Sequence, residues 1–159
     1  MSVLSIDPGL WKSGCALWTA DGRLKKAWTA RHDQGKGPEA WRSMASTIAE
    51  AAGRPTVVVC EVMQIDARSK GKEANLLQLS GVVGAVAMRF SKAKIVGYRP
   101  QQWKNTMPKR VSHARLKDRL SPAELASIEK RSTHDTWDAI GIGAYYFRTL
   151  GESRWLPRR

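Results

Sequence analysis

VLSIDPG, residues 3–9, is a short apolar run that ends in a carboxylate, Asp7, followed by a Pro-Gly pair. The run is typical of a buried β-strand, and Pro8-Gly9 ends it because proline lacks the N–H that a strand ladder needs. An unpaired buried charge is costly, so an acid at the tip of such a strand caps a turn, pairs with a base or binds a metal ion. This stretch alone leaves the three roles open.

The segments that follow this strand predict an α/β fold. Apolar runs bounded by turn residues predict five strands, at 2–7, 13–19, 23–30, 55–61 and 93–98. Apolar residues at helical spacing predict helices at 38–52, 73–90 and 133–150. This order predicts a mixed five-stranded sheet, three antiparallel strands followed by parallel additions, with helices on both faces. Because no linker, repeat or low-complexity segment interrupts residues 1–159, we expect a single domain.

A second carboxylate, Glu61, ends the predicted strand PTVVVCE, residues 55–61. Continuous rather than alternating hydrophobicity is typical of a central strand covered on both faces. If the first and fourth strands are parallel neighbours, Asp7 and Glu61 emerge at the same edge of the sheet. Two carboxylates at one edge repel each other, which favours a shared cation between them.

Two more acids, Asp135 and Asp138, open the last predicted helix in STHDTWDAIGIGAYYF, residues 132–147. Their spacing of three places them on one helix face. Taken alone, the pair is best explained as acids that favour the positive end of the helix dipole. Four carboxylates from three separate segments instead indicate a site for Mg²⁺ or Mn²⁺, because these ions prefer oxygen ligands and a two-ion site cleaves phosphodiesters.

The charge balance points to a polyanionic partner. Lys and Arg number 27 against 14 Asp and Glu, a formal net charge of +13, which is typical of nucleic-acid binding. A basic protein at a membrane surface is the alternative, but no apolar run reaches the roughly 18 residues of a spanning helix, and no signal segment opens the chain. We therefore expect a cytoplasmic protein. Cys15 and Cys60 lie in apolar strands without metal-ligand spacing and are predicted to be buried free thiols.

Basic residues crowd two segments that would flank the acidic edge. Those predicted to hold DNA phosphates are Arg68, Lys70 and Lys72 after Glu61, and Lys104, Lys109, Arg110, Arg115 and Lys117 in the basic segment 99–119. For any one of them, a solvated surface charge is the plainer interpretation.

Tryptophan is frequent, with seven in 159 residues. Trp103 lies beside Lys104 in a predicted loop and is the one we expect to contact DNA. The tryptophans that fall on apolar patterns are predicted to be core residues: Trp11, Trp18, Trp28, Trp41 and Trp137.

In this order and at this spacing, the motifs resemble the RuvC-type Holliday junction resolvases of the ribonuclease H-like superfamily. The motifs are IDPG (6–9), SGCALW (13–18), VVVCE (57–61), LLQLSGVVGAV (76–86), YRPQQWK (98–104) and HDTWDAIGIG (134–143). The resemblance covers nearly the whole chain and implies a ribonuclease H-like fold. It also implies a two-metal endonuclease that resolves four-way DNA junctions by paired nicks.

The resemblance assigns roles to particular residues. The metal ligands fall on Asp7, Glu61, Asp135 and Asp138, with Asp7 bridging two ions. The family's basic residues fall on Lys104 and Arg115.

The resemblance further implies a homodimer in a bacterial cell or phage-infected host, with branch-migration proteins as possible partners. The helix segment NLLQLSGVVGAVAM, residues 75–88, is the predicted dimer interface, because Gly81 and Gly84 allow a second helix to approach closely. Burial of this helix within its own domain is the alternative.

The chain departs from the family pattern after Glu61. The segment VMQIDARSK, residues 62–70, has no aromatic to wedge into a junction, so Met63, Ile65 or another element of the chain would take that role, and we expect flaps or forks to be cut as well. His134, next to Asp135, is predicted to orient that acid or cap the helix, although some relatives place a histidine in the metal site.

Other functions fit parts of the pattern. One alternative is a ribonuclease H-like nuclease with the same metal-dependent cleavage but with flaps, forks or RNA as its substrate. Another is a non-catalytic DNA-binding protein, which would explain the net positive charge but assign no catalytic role to the acids. Actin-like kinases and ATPases share the early Asp-X-Gly pattern, but they need two such domains and 159 residues leave no room for them.

Overall fold

In the computed structural model, which describes residues 1–63, 71–104 and 107–156, the strands form one mixed sheet. The strands are β1 (Ser2–Asp7), β2 (Lys12–Thr19), β3 (Leu24–Arg31), β4 (Val57–Glu61) and β5 (Lys94–Tyr98), in the order β3-β2-β1-β4-β5. The first three strands are antiparallel, and β4 and β5 add in parallel beside β1. The predicted sheet is confirmed, including its two parallel additions.

The helices flank this sheet. They are α1 (Pro38–Ala52), α2 (Glu73–Arg89), α3 (Pro100–Trp103), α4 (Lys109–Lys117), α5 (Pro122–Ala126) and α6 (His134–Thr149), followed by a 3-10 helix, Ser153–Trp155. The predicted ends at Phe90, Thr133 and Leu150 are capping residues of α2 and α6. In the described ranges, no helix has the length and apolar character needed to cross a membrane.

The core lies on both faces of the sheet. Val3 and Val59 pack towards α6 with Trp18, Ile140 and Phe147. Their chain neighbours point the opposite way, so that Leu4, Ile6 and Val58 pack towards α1 and α2 with Met44 and Val82. Successive residues of a strand alternate between faces, which is why strands covered on both sides are apolar throughout.

The last helix lies directly on β1 and β2. The fully buried Ser5 hydroxyl donates to the carbonyl of Ala139 at 2.7 Å and accepts from the Trp18 indole at 2.9 Å. At Gly14 the two backbones are so close that a Cβ there would overlap the backbone of Asp135. Because Gly14 pairs with Asp7 in the sheet, this contact brings the first turn of α6 to the end of β1.

Four of the five tryptophans expected in the core pack there, and the prediction for Trp11 is wrong. Trp18 is fully buried, and the other three are half-buried against the core clusters, namely Trp28, Trp41 and Trp137. Trp11 is 50% exposed, because it lies in the turn between β1 and β2, where the alternation of the strands no longer applies.

Cys15 and Cys60 are buried free thiols, as predicted. Burial raises the pKa of both, that of Cys60 to about 12. Thiols with raised pKa values are poor nucleophiles, so these two cysteines fill the core.

Gly81 and Gly84 of α2 differ in the neighbours that a side chain at each position would contact. A Cβ on Gly81 would overlap the Trp41 ring of α1, so this glycine serves packing within the chain. Gly84 faces open space, and Leu77 and Met88 on this helix are 68% and 78% exposed. One side of α2 is therefore covered by α1, and the dimer role of the other side remains a prediction.

A buried ion pair fastens the C-terminal segment. The Glu124 carboxylate accepts hydrogen bonds from the backbone N–H groups of Leu24 and Ser121, each at 2.8 Å, and pairs with Arg154. Burial alone would raise the pKa of Glu124, but Arg154 and these hydrogen bonds lower it to about 2. The carboxylate is therefore charged wherever the protein is folded at ordinary pH.

Arg154→Ala is expected to lower the free energy of unfolding by about 3 kcal/mol, because it leaves the Glu124 charge buried without its counter-ion. The matched control is Arg23→Ala. Its pair with Asp21 is exposed on both sides, and we expect a much smaller loss because solvent screens the two charges. Urea unfolding at pH 7 measures both variants. Equal losses would show that the Arg154 pair contributes no more than a surface pair.

Candidate active site

Two strand ends place the first two acids. β1 and β4 are parallel neighbours whose last paired residues are Ile6 and Cys60, so Asp7 and Glu61 follow side by side at one edge of the sheet. Asp7 is half-buried and Glu61 is buried. The fold thus holds two carboxylates in a poorly solvated position at the end of the two central strands.

The first turns of α6 supply the other two acids. Asp138 is 3% exposed and Asp135 is half-buried, and the close contact at Gly14 sets both beside the strand ends. Burial, and then the charges of Glu61, Asp138 and Asp135, raise the pKa of Asp7 to about 8, against a smaller opposing effect of Lys109. Asp7 therefore lies at the electrostatic centre of the cluster.

Basic side chains hold the two acids of α6. The Lys109 Nζ lies 2.7 Å from the Asp138 Oδ2, and the His113 Nε2 lies 2.9 Å from its Oδ1. Burial alone would raise the pKa of Asp138, but these two hydrogen bonds hold it below its ordinary value. At Asp135, the Lys12 Nζ lies 3.2 Å from Oδ2 and the His134 Nε2 lies 2.8 Å from Oδ1. The His134 contact is the one expected of a side chain that orients the acid.

Glu61 is held by Trp103. The indole N–H donates to the Glu61 Oε2 at 2.8 Å, and the other side of the ring packs against Gly141 of α6. Burial raises the pKa of Glu61, while the charge of Lys104 and the Trp103 hydrogen bond oppose that rise. Trp103 therefore fixes the orientation of the Glu61 side chain in this structure, and its contact with DNA stays a prediction.

The donor set fits a hard divalent cation. Within residues 1–63, 71–104 and 107–156, no three His, Cys, Asp or Glu side chains converge closely enough to form a metal-ligand group. Instead, Glu61, Asp135 and Asp138 each contact an indole, imidazole or ammonium group. Even so, the four acids offer only oxygen ligands, and their mutual repulsion around Asp7 is the kind that a bound cation relieves.

The predicted DNA-binding residues fall into separate places. Lys104 lies 4.9 Å over the Trp103 ring beside Glu61, and Lys109 binds Asp138. Lys117 lies 5.1 Å over the Trp137 ring, while Arg115 lines a cleft between α4 and α6. Arg110 is exposed on α4 and Lys72 is exposed at the start of α2, whereas Arg68, Lys70 and also Ile65 lie outside the described residues.

Two partners of the acids, His113 and Lys12, were not predicted from the sequence. His113 follows Lys109 by four residues, so the two share a face of α4, and that spacing is a signal that could have been found. Lys12 gives no comparable signal, because its place beside Asp135 depends on the contact between α6 and β2. Of the basic residues predicted on α4, Lys109 contacts the acidic cluster directly, whereas Arg115 lines the neighbouring cleft.

In the protein without metal, stability is expected to fall as the pH rises from about 4 to about 8. The pKa of Asp7 is about 8 in the folded state, well above the value of about 4 in an unfolded chain. Between these values the folded state keeps a proton that the unfolded state has released, so stability present at low pH is lost as the pH approaches 8.

Thermal unfolding in EDTA at pH 5.5 and pH 8.5 tests this expectation with wild type and Asp7→Asn. Because asparagine cannot titrate, the wild type should lose at least about 3 °C more in Tm than the variant over this interval. Equal losses in the two proteins would mean that Asp7 ionises normally.

Comparisons with known proteins agree on the fold. No protein-family model matches the chain, and a search of curated proteins finds no match either. Among solved structures, Thermus thermophilus RuvC in complex with a Holliday junction substrate aligns with a TM-score of 0.66 at 19% identity, over 96% of this chain and 98% of that one. Fowlpox virus resolvase with substrate Holliday junction DNA aligns with a TM-score of 0.58 at 16% identity, over 93% of this chain and 99% of that one.

The yeast mitochondrial Holliday junction resolvase also aligns, with a TM-score of 0.54 at 12% identity, over 96% of this chain and 79% of that one. Together with the sheet order, these likenesses establish a ribonuclease H-like fold. At such identities the likeness covers the architecture, and the chemistry has to be argued from the side chains.

Proposed function

We propose that this chain is a metal-dependent, structure-selective DNA endonuclease that resolves four-way junctions by paired nicks. One observation supports this most strongly: at the edge of a ribonuclease H-like sheet, the half-buried Asp7 feels the charges of three further carboxylates, Glu61, Asp135 and Asp138. The whole chain carries a formal net charge of +13, which suits a polyanionic substrate. Two of the similar structures contain Holliday junction DNA, and we extend that substrate to this chain.

Asp7, Glu61, Asp135 and Asp138 would together hold two Mg²⁺ or Mn²⁺ ions. When bound, such ions supply an activated water and stabilise the leaving oxygen of the phosphodiester. The chain's own residues prepare that site: Trp103 orients Glu61, and His134 orients Asp135. Lys12 and Lys109 balance the charge of the α6 acids and are placed to exchange a carboxylate for a DNA phosphate.

Basic residues at the rim would position the DNA. Lys104 and Lys109 lie beside the acids. Further basic side chains follow along α4, namely Arg110, Arg115 and Lys117. Phosphate contacts of this kind fix the position of the DNA on the protein without recognising its base sequence, so the shape of the junction would provide selectivity.

Lys104→Ala is expected to reduce by about one the slope of log Kd against log salt for a four-way junction, because one phosphate contact is lost. The control is Arg42→Ala, on α1, which packs on the opposite face of the sheet from α6. Fluorescence anisotropy in Ca²⁺ over a salt series gives both slopes. An unchanged slope with a slower cut would place Lys104 at the reacting phosphate rather than at a positioning contact.

We also propose a homodimer, since a two-fold pair of sites would explain paired nicks in strands of like polarity. The exposed side of α2, with Leu77, Gly84 and Met88, is the surface we assign to it. A bacterial or phage-infected cytoplasm supplies both the substrate and any branch-migration partner.

Mapping the nicks tests this function. A junction labelled in each strand in turn is incubated with the protein and Mg²⁺, and the products are sized on a denaturing gel. We expect nicks in two strands of like polarity at symmetrical positions. Nicks confined to one strand, or an intact junction, would contradict paired resolution.

A non-catalytic DNA-binding protein is the second candidate. It is favoured by the ion pairs of Asp135 with Lys12 and of Asp138 with Lys109, which already balance two of the acids. In that case junction affinity would be the same in Mg²⁺ and EDTA and no strand would be cut.

A further inference from the structure

Trp11 is a large apolar side chain in an unusual place. It lies in the turn between β1 and β2, four residues after Asp7, and is 50% exposed. The other six tryptophans of the chain are buried or half-buried. An exposed tryptophan loses the burial that normally stabilises it, so its position calls for a ligand that would cover the ring.

The ring is held in place from one side. The Trp11 and His32 rings stack at a centroid distance of 6.0 Å and an interplanar angle of 17°. His32 is fixed in turn, since its Nε2 lies 2.6 Å from the Leu10 carbonyl and its backbone N–H donates to the Trp11 carbonyl at 3.4 Å. Trp11 is therefore an ordered aromatic surface with one side against an imidazole and exposed area left for a second planar group.

Trp11 also lies at the candidate active site. It lines an open cleft that reaches one acid of α6, Asp135, and that is also lined by Pro8, Gly9, Leu10, Lys12 and Arg31. The ring thus stands beside the same Asp135 that belongs to the acidic cluster. A group stacked on Trp11 would be next to the bond that the acids are proposed to cut.

The charges in this cleft suit a phosphate. Lys12 and Arg31 are directly opposite each other on β2 and β3, an arrangement in which like charges repel. Lys12 has Asp135 as a partner at 3.2 Å, and among the residues that the structure describes the Arg31 guanidinium donates only to the Thr29 carbonyl, at 3.4 Å. An anion between the two side chains would relieve the repulsion.

We infer that Trp11 is a base-stacking subsite, at which one unstacked base of the bound DNA lies on the indole while Lys12 and Arg31 hold a flanking phosphate. An aromatic face beside two cations is the combination that binds single-stranded nucleotides without reading their sequence. The segment after Glu61 has no aromatic, and Trp11 supplies one from the first hairpin. The inference rests on the proposed function in taking the ligand to be branched DNA.

Photo-crosslinking tests the subsite directly. Four-way junctions carrying one 5-iododeoxyuridine at successive positions around the branch point are bound to the full-length protein in Ca²⁺ and irradiated. Trypsin releases residues 1–12 as one peptide, MSVLSIDPGLWK, in which Trp11 is the only aromatic. We expect crosslinks from one or two positions next to the branch point to this peptide, and their loss in Trp11→Ala.

Affinity gives a second measurement. Trp11→Ala should weaken junction binding about fivefold or more, while Trp11→Phe, which keeps an aromatic face, should recover most of it. The control is Leu125→Ala, which removes an exposed apolar side chain on α5 and should leave affinity unchanged.

The outcomes separate this inference from the proposed function. A wild-type protein that cuts junctions, with crosslinks only to other peptides and an unaltered affinity in Trp11→Ala, would overturn the subsite alone. A wild-type protein that binds no branched DNA would overturn both. Binding of Trp11 to anionic phosphatidylserine vesicles in place of DNA would assign the ring to a membrane surface and would also overturn the subsite.

Discussion

Asp7→Asn is expected to abolish junction cleavage, with a loss of at least about 100-fold in single-turnover rate, while junction binding in Ca²⁺ persists or tightens. The rate falls because asparagine removes the charge of one of the proposed metal ligands. Binding persists because removal of one negative charge from a cluster of four lowers the repulsion felt by DNA phosphates.

The matched control is Asp21→Asn. Asp21 is exposed in the turn between β2 and β3, where it pairs with Arg23, so this change should affect neither the rate nor the affinity. Circular dichroism and thermal unfolding show whether each variant is folded. A folded Asp7→Asn protein that loses binding together with cleavage would make Asp7 a structural cap of the first strand.

Gly14→Ala is expected to cost about 3 kcal/mol of stability and to slow cleavage strongly, because the added methyl group overlaps the backbone of Asp135. Backbone atoms cannot move aside alone, so the first turn of α6 has to shift from β2. Asp135 and Asp138 move with that turn, and a shift of about 1 Å in a catalytic group can cost about 100-fold in rate.

The control is Gly35→Ala, since a Cβ at Gly35 meets no atom within 4 Å. Urea unfolding and single-turnover cleavage under stabilising conditions separate the two effects of the Gly14 change. A Gly14→Ala protein with wild-type stability and rate would mean that the α6–β2 contact does not position the acids.

Much of the fold follows from local patterns. The helix at 38–52 matches the prediction at both ends, because Pro38 and Gly53 mark its limits in the sequence. The strand VVVCE was predictable for a similar reason, as its apolar run is bounded by Pro55 and an acid. The predicted parallel pairing of β1 with β4 brings Asp7 and Glu61 to one edge, as the structure has it.

The rest depends on contacts between segments distant in the chain. The expectation for Trp11 failed because a turn and a strand end look alike in apolar content, and only the structure places Trp11 against His32. Lys12, the partner of Asp135, was missed because it reaches that acid only through the packing of α6 on β2. Charge pattern alone therefore identified a basic segment without showing which of its residues meet the acidic cluster.

The most direct test of the account compares single-turnover rates on a four-way junction, a flap, a fork and a linear duplex at equal concentrations, with Mg²⁺, Mn²⁺ or EDTA. We predict that the junction is cut fastest with either ion, that flaps and forks are cut at lower but measurable rates, and that nothing is cut in EDTA. A folded protein that binds the junction and cuts none of the four DNAs with either ion, or that cuts linear duplex as fast as the junction, would contradict the proposal of a metal-dependent, structure-selective nuclease.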